Sequence, residues 1–394
     1  MTTYAAAQLG EREVHDADSH LMETPSMLAE YADPEIRQRL ASFDFAGSTG
    51  GQQRVVEQAQ TLHADPAYRE RAAEELMTRK NWNATGSFLK EDRPQALDLL
   101  GFRSQLVFNT FWSGYLCRLE HVEDLQLAYG AARAHNRALA DFCAADRRLL
   151  PALYVPLMDF EQAEAMAAEA ITQGASALLV ASACPARHSP SHRGLYPVWA
   201  QAQEAGIPIV FHVGGGGQLL DPMYFENGRP RVKDFHGGDE NFRSVDYMAI
   251  PTPVTQTLAT LIIDGVLEAF PQLKWGVIEQ GATWLPGFMR YLDSAFEAFA
   301  RHEERLQGLS LRPSEYVRRQ IRATPYPTED VGWILRNAGA ETLLFSSDYP
   351  HVEGGRNPIK RFEASLEGVG AADRDRFYAG NMLDLMGPQL QALR

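Results

Sequence analysis

The chain has 394 residues, 45% of them hydrophobic and 22% charged, enough apolar material for one large α/β domain or two ordinary ones. A formal charge of −14 leaves no excess of Lys and Arg to neutralise phosphates, which argues against nucleic acid as a partner. No run approaches the roughly 18 apolar residues of a membrane span, and the first residues lack the basic-then-apolar layout of a secretory signal, so a cytoplasmic location with no membrane contact is expected. Cys117, Cys143 and Cys184 are odd in number, far apart and free of C-x-x-C spacing. They are expected to be reduced, buried small residues rather than disulfides or thiolate metal ligands.

Along the chain, short β-branched or apolar runs alternate with longer alanine-rich stretches. Strands are predicted at residues 14–18, 105–109, 152–156, 177–181, 207–212, 274–278, 321–323 and 343–347. Between them lie helical repeats, such as Leu125, Ala128, Ala132, His135, Leu139 and Phe142, which recur three or four apart. Eight strands each followed by a helical segment predict an α/β fold of the (β/α)8 TIM-barrel type, one domain over residues 1–394. No G-x-G-x-x-G follows the first strand, and the glycines from Gly214 to Gly217 lack a G-x-x-x-x-G-K-[ST] continuation, which removes the usual nucleotide-binding alternatives.

Two stretches break the rhythm. Residues 30–95 are polar, hold a glycine cluster from Gly47 to Gly51 and a charged helical portion at 68–80, and are expected as a helical insertion after strand one. Residues 219–246, rich in Gly, Asp and Arg, are expected as a long loop after strand five. Both would leave the C-terminal face of the barrel, where such segments cover an active site.

Chemistry-bearing residues gather at predicted strand ends. Strand one ends Asp16-Ala17-Asp18-Ser19-His20, and alternation places Asp16, Asp18 and His20 on one side. Strand five ends an apolar run at His212, and strand eight ends one at Asp348. Taken singly, each has a structural reading: a solvated strand end or helix cap, a hydrogen-bonded core histidine, an ion pair. Taken together they converge, because strand eight of a closed barrel lies beside strand one. Asp18, His20, His212 and Asp348 then form one nitrogen and oxygen ligand set without thiolates, suited to one divalent ion: zinc, manganese or iron. Glu279, at the end of strand six, reaches the same mouth as a ligand, a general base or an orienting acceptor. His351 and Glu353 follow Asp348. Arg187, His188, His192 and Arg193, in the loop after strand four, are candidates to bind a substrate carboxylate, with a solvated surface as their other reading.

These pieces resemble the amidohydrolase superfamily, in particular the amidohydrolase-2 branch that includes aminocarboxymuconate semialdehyde decarboxylase and the γ-resorcylate decarboxylases. The similar text is Asp16 to His20, Leu150 to Pro156, Gly206 to Gly214, Asp264 to Val266 with Phe270 to Lys274, and Phe345 to His351. The resemblance implies that Asp18 and His20 stand at the first two ligand positions, His212 at the strand-five ligand, and Asp348 at an aspartate that binds metal and handles a proton. Asp18 replaces the usual first histidine of a His-x-His pair, which shifts the preference toward manganese or iron. Where many relatives carry His-x-Gly-Gly in strand six, this chain has Glu279-Gln280-Gly281-Ala282, a carboxylate that also admits a second metal ion.

The resemblance thus implies a metal-dependent lyase that decarboxylates a small aromatic or unsaturated hydroxy-acid, with Asp348, Glu279 and His351 as catalytic candidates and Arg187, Arg193 and His188 steering the acid. The same residues suit a metal-dependent hydrolase of an amide, lactone or C–C bond, or a dinuclear iron or manganese oxygenase using Glu279 and His351. A non-catalytic structural subunit is the reading of a different class. Assembly as a homo-oligomer, dimer or tetramer, is expected, and Trp284, Phe288, Tyr291, Phe296 and Phe299, at helical spacing, are expected in the core.

Overall fold

The computed structural model describes residues 2–41, 51–230 and 244–392. Seven strands, β1 (His15–Leu21), β2 (Ser104–Asn109), β3 (Leu149–Tyr154), β4 (Ala177–Leu179), β5 (Ile209–His212), β6 (Trp275–Ile278) and β7 (Ile321–Ala323), form one sheet in sequence order. Every pairing is parallel. Parallel neighbours require a crossover, and helices supply it: Leu125–Cys143 after β2, Phe160–Thr172 after β3, Tyr196–Ala205 after β4, Pro251–Ile263 after β5, Leu285–Phe299 after β6 and Val331–Ala338 after β7. Helices outside and side chains inside bury both faces, so β1, β2 and β3 expose no residue. The helix Leu125–Cys143 buries Ala128, Ala132, His135, Leu139 and Phe142, the face expected from spacing, and starts at Asp124, whose carboxylate accepts the Leu127 N–H.

The predicted eighth strand differs. Residues 343–349 touch both sheet edges only through isolated bridges, Ala323 with Leu343 and Ser19 with Tyr349. Leu344 N–H donates to the Ala323 carbonyl at 2.9 Å, while Ala17 N–H donates to Phe345 and Asp348 N–H to Asp18, each at 3.0 Å. The ladder is interrupted because Phe345 N–H donates to the Phe377 carbonyl and Ser347 N–H to the Asp16 carboxylate. The result is an α/β fold with seven parallel strands and a bridging segment between β7 and β1, consistent with a TIM barrel.

Between β1 and β2 lie the helices Met27–Glu30, Pro34–Ala41, Gly51–Ala64, Pro66–Glu70, Ala72–Glu75 and Arg93–Leu100. The charged helical portion expected at 68–80 is broken at Arg71, whose guanidinium turns back to the Ala67 carbonyl and to Glu75. Of the expected glycine cluster, 47–50 lie outside the described residues, as do 231–243 of the expected long loop.

Two expectations are corrected. Cys117 and Cys143 are buried and free, but Cys184 is exposed, because it lies on the loop beyond β4. The helix Leu285–Phe299 turns Leu285, Pro286, Met289 and Leu292 to the core. Tyr291 is 81% exposed and Phe299 52%, while Trp284 and Phe288 pack only partly against the core. Among the described residues, no helix is long and apolar enough to cross a membrane.

Candidate metal centre

β1 delivers Asp18 and His20, β5 ends at His212, Glu279 follows β6, and the bridging segment ends at Asp348 and His351. The C-terminal ends of parallel strands meet at one mouth, and there these six side chains form two overlapping sets: Asp18, His20, His212 and Glu279, and His20, Glu279, Asp348 and His351. Within each set the nearest ligand atoms lie within 4.8 Å of one another, and every member is buried.

Asp16 is not in the cluster. The β1–β2 register shifts between Asp16 and Ser19, so the strict alternation expected along β1 does not hold. Asp16 instead accepts hydrogen bonds from Gln105 Nε2 at 2.8 Å, from Ser347 N–H at 2.8 Å and from Ser347 Oγ at 2.6 Å, sewing β1 to β2 and to the bridging segment. Burial pushes its carboxyl up to about 7.

The histidine tautomers follow from their outer partners. His20 Nδ1 lies 3.0 Å from the Asn109 carbonyl and His212 Nδ1 2.9 Å from the Val213 carbonyl. A carbonyl only accepts, so each Nδ1 carries the proton and each Nε2 presents a lone pair. His20 Nε2 is 3.1 Å from Asp18 Oδ1 and 3.4 Å from Asp348 Oδ1. His212 Nε2 is 3.3 Å from Asp18 Oδ1 and 3.3 Å from Glu279 Oε2. Lone pairs therefore face carboxylate oxygens, an arrangement that repels unless a cation sits between them. Burial, with His351 next to it, holds His20 down to about 4, a neutral ring able to bind metal. Burial alone would raise Asp18, and only protonated His20 and His212 would hold its carboxyl below the usual range, a pull that a cation supplies in place of their protons. Asp348 is pushed well above that range by burial and then by the Asp18 charge.

Both carboxylates outside β1 sit on unusual backbone: φ is 53° at Glu279 and at Asp348, the left-handed region that costs a residue with a Cβ about 1 kcal/mol or more. The neighbours hold these turns. Glu279 N–H donates to Thr324 Oγ1 at 2.7 Å, and the Tyr326 hydroxyl donates to the Glu279 carbonyl at 2.8 Å. Gly354 leaves room at the other turn, where a Cβ would stand 2.2 Å from the Ser347 carbonyl oxygen. Asp18, Glu279, Tyr326, Asp348 and Glu353 share a cavity of about 20 Å3, room for a water-sized group.

Arg187, His188 and Arg193 are not brought into this cluster. Arg187 is exposed, 3.9 Å from Glu123, and Arg193 is exposed. The His188 ring packs on Phe160 at 4.5 Å, and the exposed His192 stacks on the same ring. A cation with no sequence signal comes closer: Lys80, from the long segment after β1, faces Asp348 and Glu353 and donates to the Gly355 carbonyl at 2.7 Å, with burial lowering it to about 8. Thr110 and Thr324 directly follow β2 and β7, and a strand-end position was their only sequence signal.

A sequence profile of the amidohydrolase family matches residues 113–385, more than half the chain, a span that holds His212, Glu279, Asp348 and His351 but not Asp18 or His20. Among curated proteins none matches the chain. An amidohydrolase from Mycobacterium avium subsp. paratuberculosis superposes with a TM-score of 0.73 at 23% identity, covering 96% of this chain and 100% of its own. A 5-carboxyvanillate decarboxylase from Novosphingobium aromaticivorans, complexed with manganese and 4-hydroxy-3-methoxy-5-nitrobenzoic acid, superposes with 0.65 at 16% identity, covering 98% of each chain. A 2,6-dihydroxybenzoate decarboxylase from Rhizobium gives 0.60 at 16% identity, covering 95% of this chain and 98% of its own. These likenesses show a shared fold, and with the family match they lead to one statement of identity. The chain belongs to the amidohydrolase family and is an enzyme.

Proposed function

We propose that this amidohydrolase-family enzyme is a metal-dependent carboxy-lyase acting on a small aromatic or unsaturated hydroxy-acid. The observation that carries the metal is the convergence of the His20 and His212 lone pairs on Asp18 Oδ1. Asp18, His20 and His212 would hold the ion, with Asp348 or Glu279 completing the set, and the oxygen-rich donors favour manganese or iron over zinc. A divalent ion there supplies a Lewis acid and a template for a carboxylate and an adjacent oxygen. Support for decarboxylation comes from the superposable decarboxylases, one of them complexed with manganese and an aromatic acid.

The chain's own groups handle the proton and the acid. As the bond to the carboxylate breaks and CO2 leaves, its electron pair stays on the substrate carbon, which takes a proton from Asp348. His351, 2.9 Å from Asp348 Oδ1, orients that carboxyl. Arg187, His188 and Arg193 would steer the anion from the rim. In this reading the barrel closes as (β/α)8, the helices of residues 30–95 form an insertion over its mouth, and the exposed Tyr291 and Phe299 support assembly as a cytoplasmic homo-oligomer.

Glu279 favours one second reading. With Oε2 3.3 Å from His212 Nε2, it would take a proton from a water that attacks an amide, lactone or C–C bond. The deciding experiment supplies the enzyme with manganese and measures CO2 release from a panel of hydroxylated aromatic acids, beside hydrolysis of amides and lactones, in wild type and His212→Ala. Turnover of an acid, reduced roughly 100-fold or more in the variant, is expected. Hydrolysis without CO2 from any acid replaces the lyase reading, and folded protein that takes up no metal removes both.

A further inference from the structure

We propose that Thr110 is a positioning residue that acts through His351 to hold the Asp348 carboxyl as a hydrogen-bond donor; this rests on the lyase reading above, in which Asp348 gives a proton to the substrate carbon. Thr110 follows β2 and lies outside both ligand sets. Its Oγ1 is 2.9 Å from the Leu21 carbonyl oxygen, 2.9 Å from His351 Nε2 and 3.5 Å from Met22 Sγ. A carbonyl oxygen only accepts, so the single hydroxyl proton goes to Leu21 and a lone pair of Oγ1 is left for His351. His351 therefore carries its proton on Nε2 and donates it to Thr110.

A neutral imidazole has one such proton, so Nδ1 is a bare lone pair. It faces Asp348 Oδ1 at 2.9 Å, and among the described residues neither atom has another hydrogen-bond partner. Both side chains are buried, so water does not relieve two acceptors at that distance. A proton on Oδ1, donated to Nδ1, does. Asp348 is thus kept in the form that has a proton to give. Without the Thr110 hydroxyl, the imidazole proton is better placed on Nδ1, donating to an ionised Asp348, and the carboxyl becomes a base. One hydroxyl thereby decides whether Asp348 can protonate a carbon as CO2 leaves or can only take a proton from water.

The surroundings hold Thr110 and His351 to this arrangement. Glu23, fully buried, accepts the Thr110 N–H on one oxygen at 2.9 Å and the Phe111 N–H on the other at 3.2 Å. Trp82 Nε1 donates to the Glu23 carbonyl at 3.1 Å, so the segment between β1 and β2 braces the same turn. The His351 ring stacks on His20, 3.8 Å between centroids, which fixes its plane.

Tautomer and rate are measured separately. Nitrogen-15 NMR is recorded on the full chain labelled at histidine, in chelator, so that neither metal nor substrate bears on the result; the His351 signals are identified by their loss in His351→Asn. A protonated Nε2 and bare Nδ1 are expected in wild type and Thr110→Ser, and a proton moved to Nδ1 in Thr110→Val. With Mn2+ and an acid that the wild type decarboxylates, Thr110→Val is expected to lose roughly 10–100-fold in kcat with KM within about 3-fold, and Thr110→Ser to stay within about 3-fold of wild type. A wild-type His351 protonated on Nδ1, an unchanged kcat in Thr110→Val, a loss confined to KM, or a Thr110→Ser as slow as Thr110→Val overturns the role of Thr110. If no acid is turned over, the lyase reading fails, and the tautomer of His351 is still decided by the spectrum. If Thr110→Val does not fold, the wild-type tautomer and the rate of Thr110→Ser decide.

Discussion

Glu120 shows what a buried carboxyl does when no cation is near it. It lies just past the helix Trp112–Leu119, where Oε1 accepts the Tyr154 hydroxyl and Oε2 the Leu157 N–H at 2.7 Å. Burial pushes it up to about 7, against the hydrogen bonds, which lower it. Because the folded value lies above the unfolded one near 4.5, the native state binds the extra proton. The stabilisation is complete below about pH 4.5 and is lost as pH rises through about 7. Urea unfolding should therefore show a loss on the order of 2–3 kcal/mol between pH 5 and 8 from this group. Glu120→Gln should flatten that slope while keeping most of the stability at pH 5, since its amide oxygen can accept the Leu157 N–H and its nitrogen can donate to the Tyr154 hydroxyl oxygen. An unchanged slope would mean that Glu120 stays ionised in the folded protein. Asp16 is a similar case: as a letter it looked like a third member of the strand-one site, and only the shifted register shows it bound to Gln105 and Ser347.

At the scale of elements, the turn after β6 sets where Glu279 points. Thr324 and Tyr326 grip its backbone, and the Glu329 carboxylate accepts the N–H groups of Ala282 at 3.0 Å, Thr283 at 2.7 Å and Tyr326 at 2.7 Å. Tyr326→Phe removes one hydrogen bond outside the ligand set. Calorimetric titration with Mn2+ should show affinity lower by about 10-fold, with a midpoint of thermal unfolding nearly unchanged. Equal affinity in the variant would show that packing alone holds the turn. Strand positions were legible because a run buried on both faces is continuously apolar, and seven of the predicted strands overlap observed ones. The eighth was legible only as an apolar run, since its broken ladder depends on the distant Phe377 carbonyl and Asp16 carboxylate. The strand-four loop basics drew attention by charge, which marks a solvated surface as readily as a site.

Across the whole molecule, the C-terminal ends of the parallel strands gather like charges that the rest of the fold must hold together. Stripping metal should leave Asp18, Glu279 and Asp348 mutually repelling, so chelator is expected to lower the thermal midpoint by roughly 3–5 °C, and Mn2+ well above its dissociation constant to restore it. A midpoint indifferent to chelator, with metal shown to be absent afterwards, would mean the frame tolerates the bare cluster.

Strand order, the helical crossovers and the strand ends that carry Asp18, His20, His212, Glu279 and Asp348 were determined by the sequence alone, because apolar periodicity and its interruption by ionisable residues are local properties of the chain. Tertiary structure decided the rest: that Asp16 turns away, that His351 stands against Asp348, that Lys80 rather than Arg187 faces the cluster, and that Tyr291 and Phe299 remain exposed. Each depends on which atoms from distant segments meet, through a register shift, a carbonyl that sets a tautomer or a left-handed turn. Those are contacts of the folded chain that no spacing along it encodes.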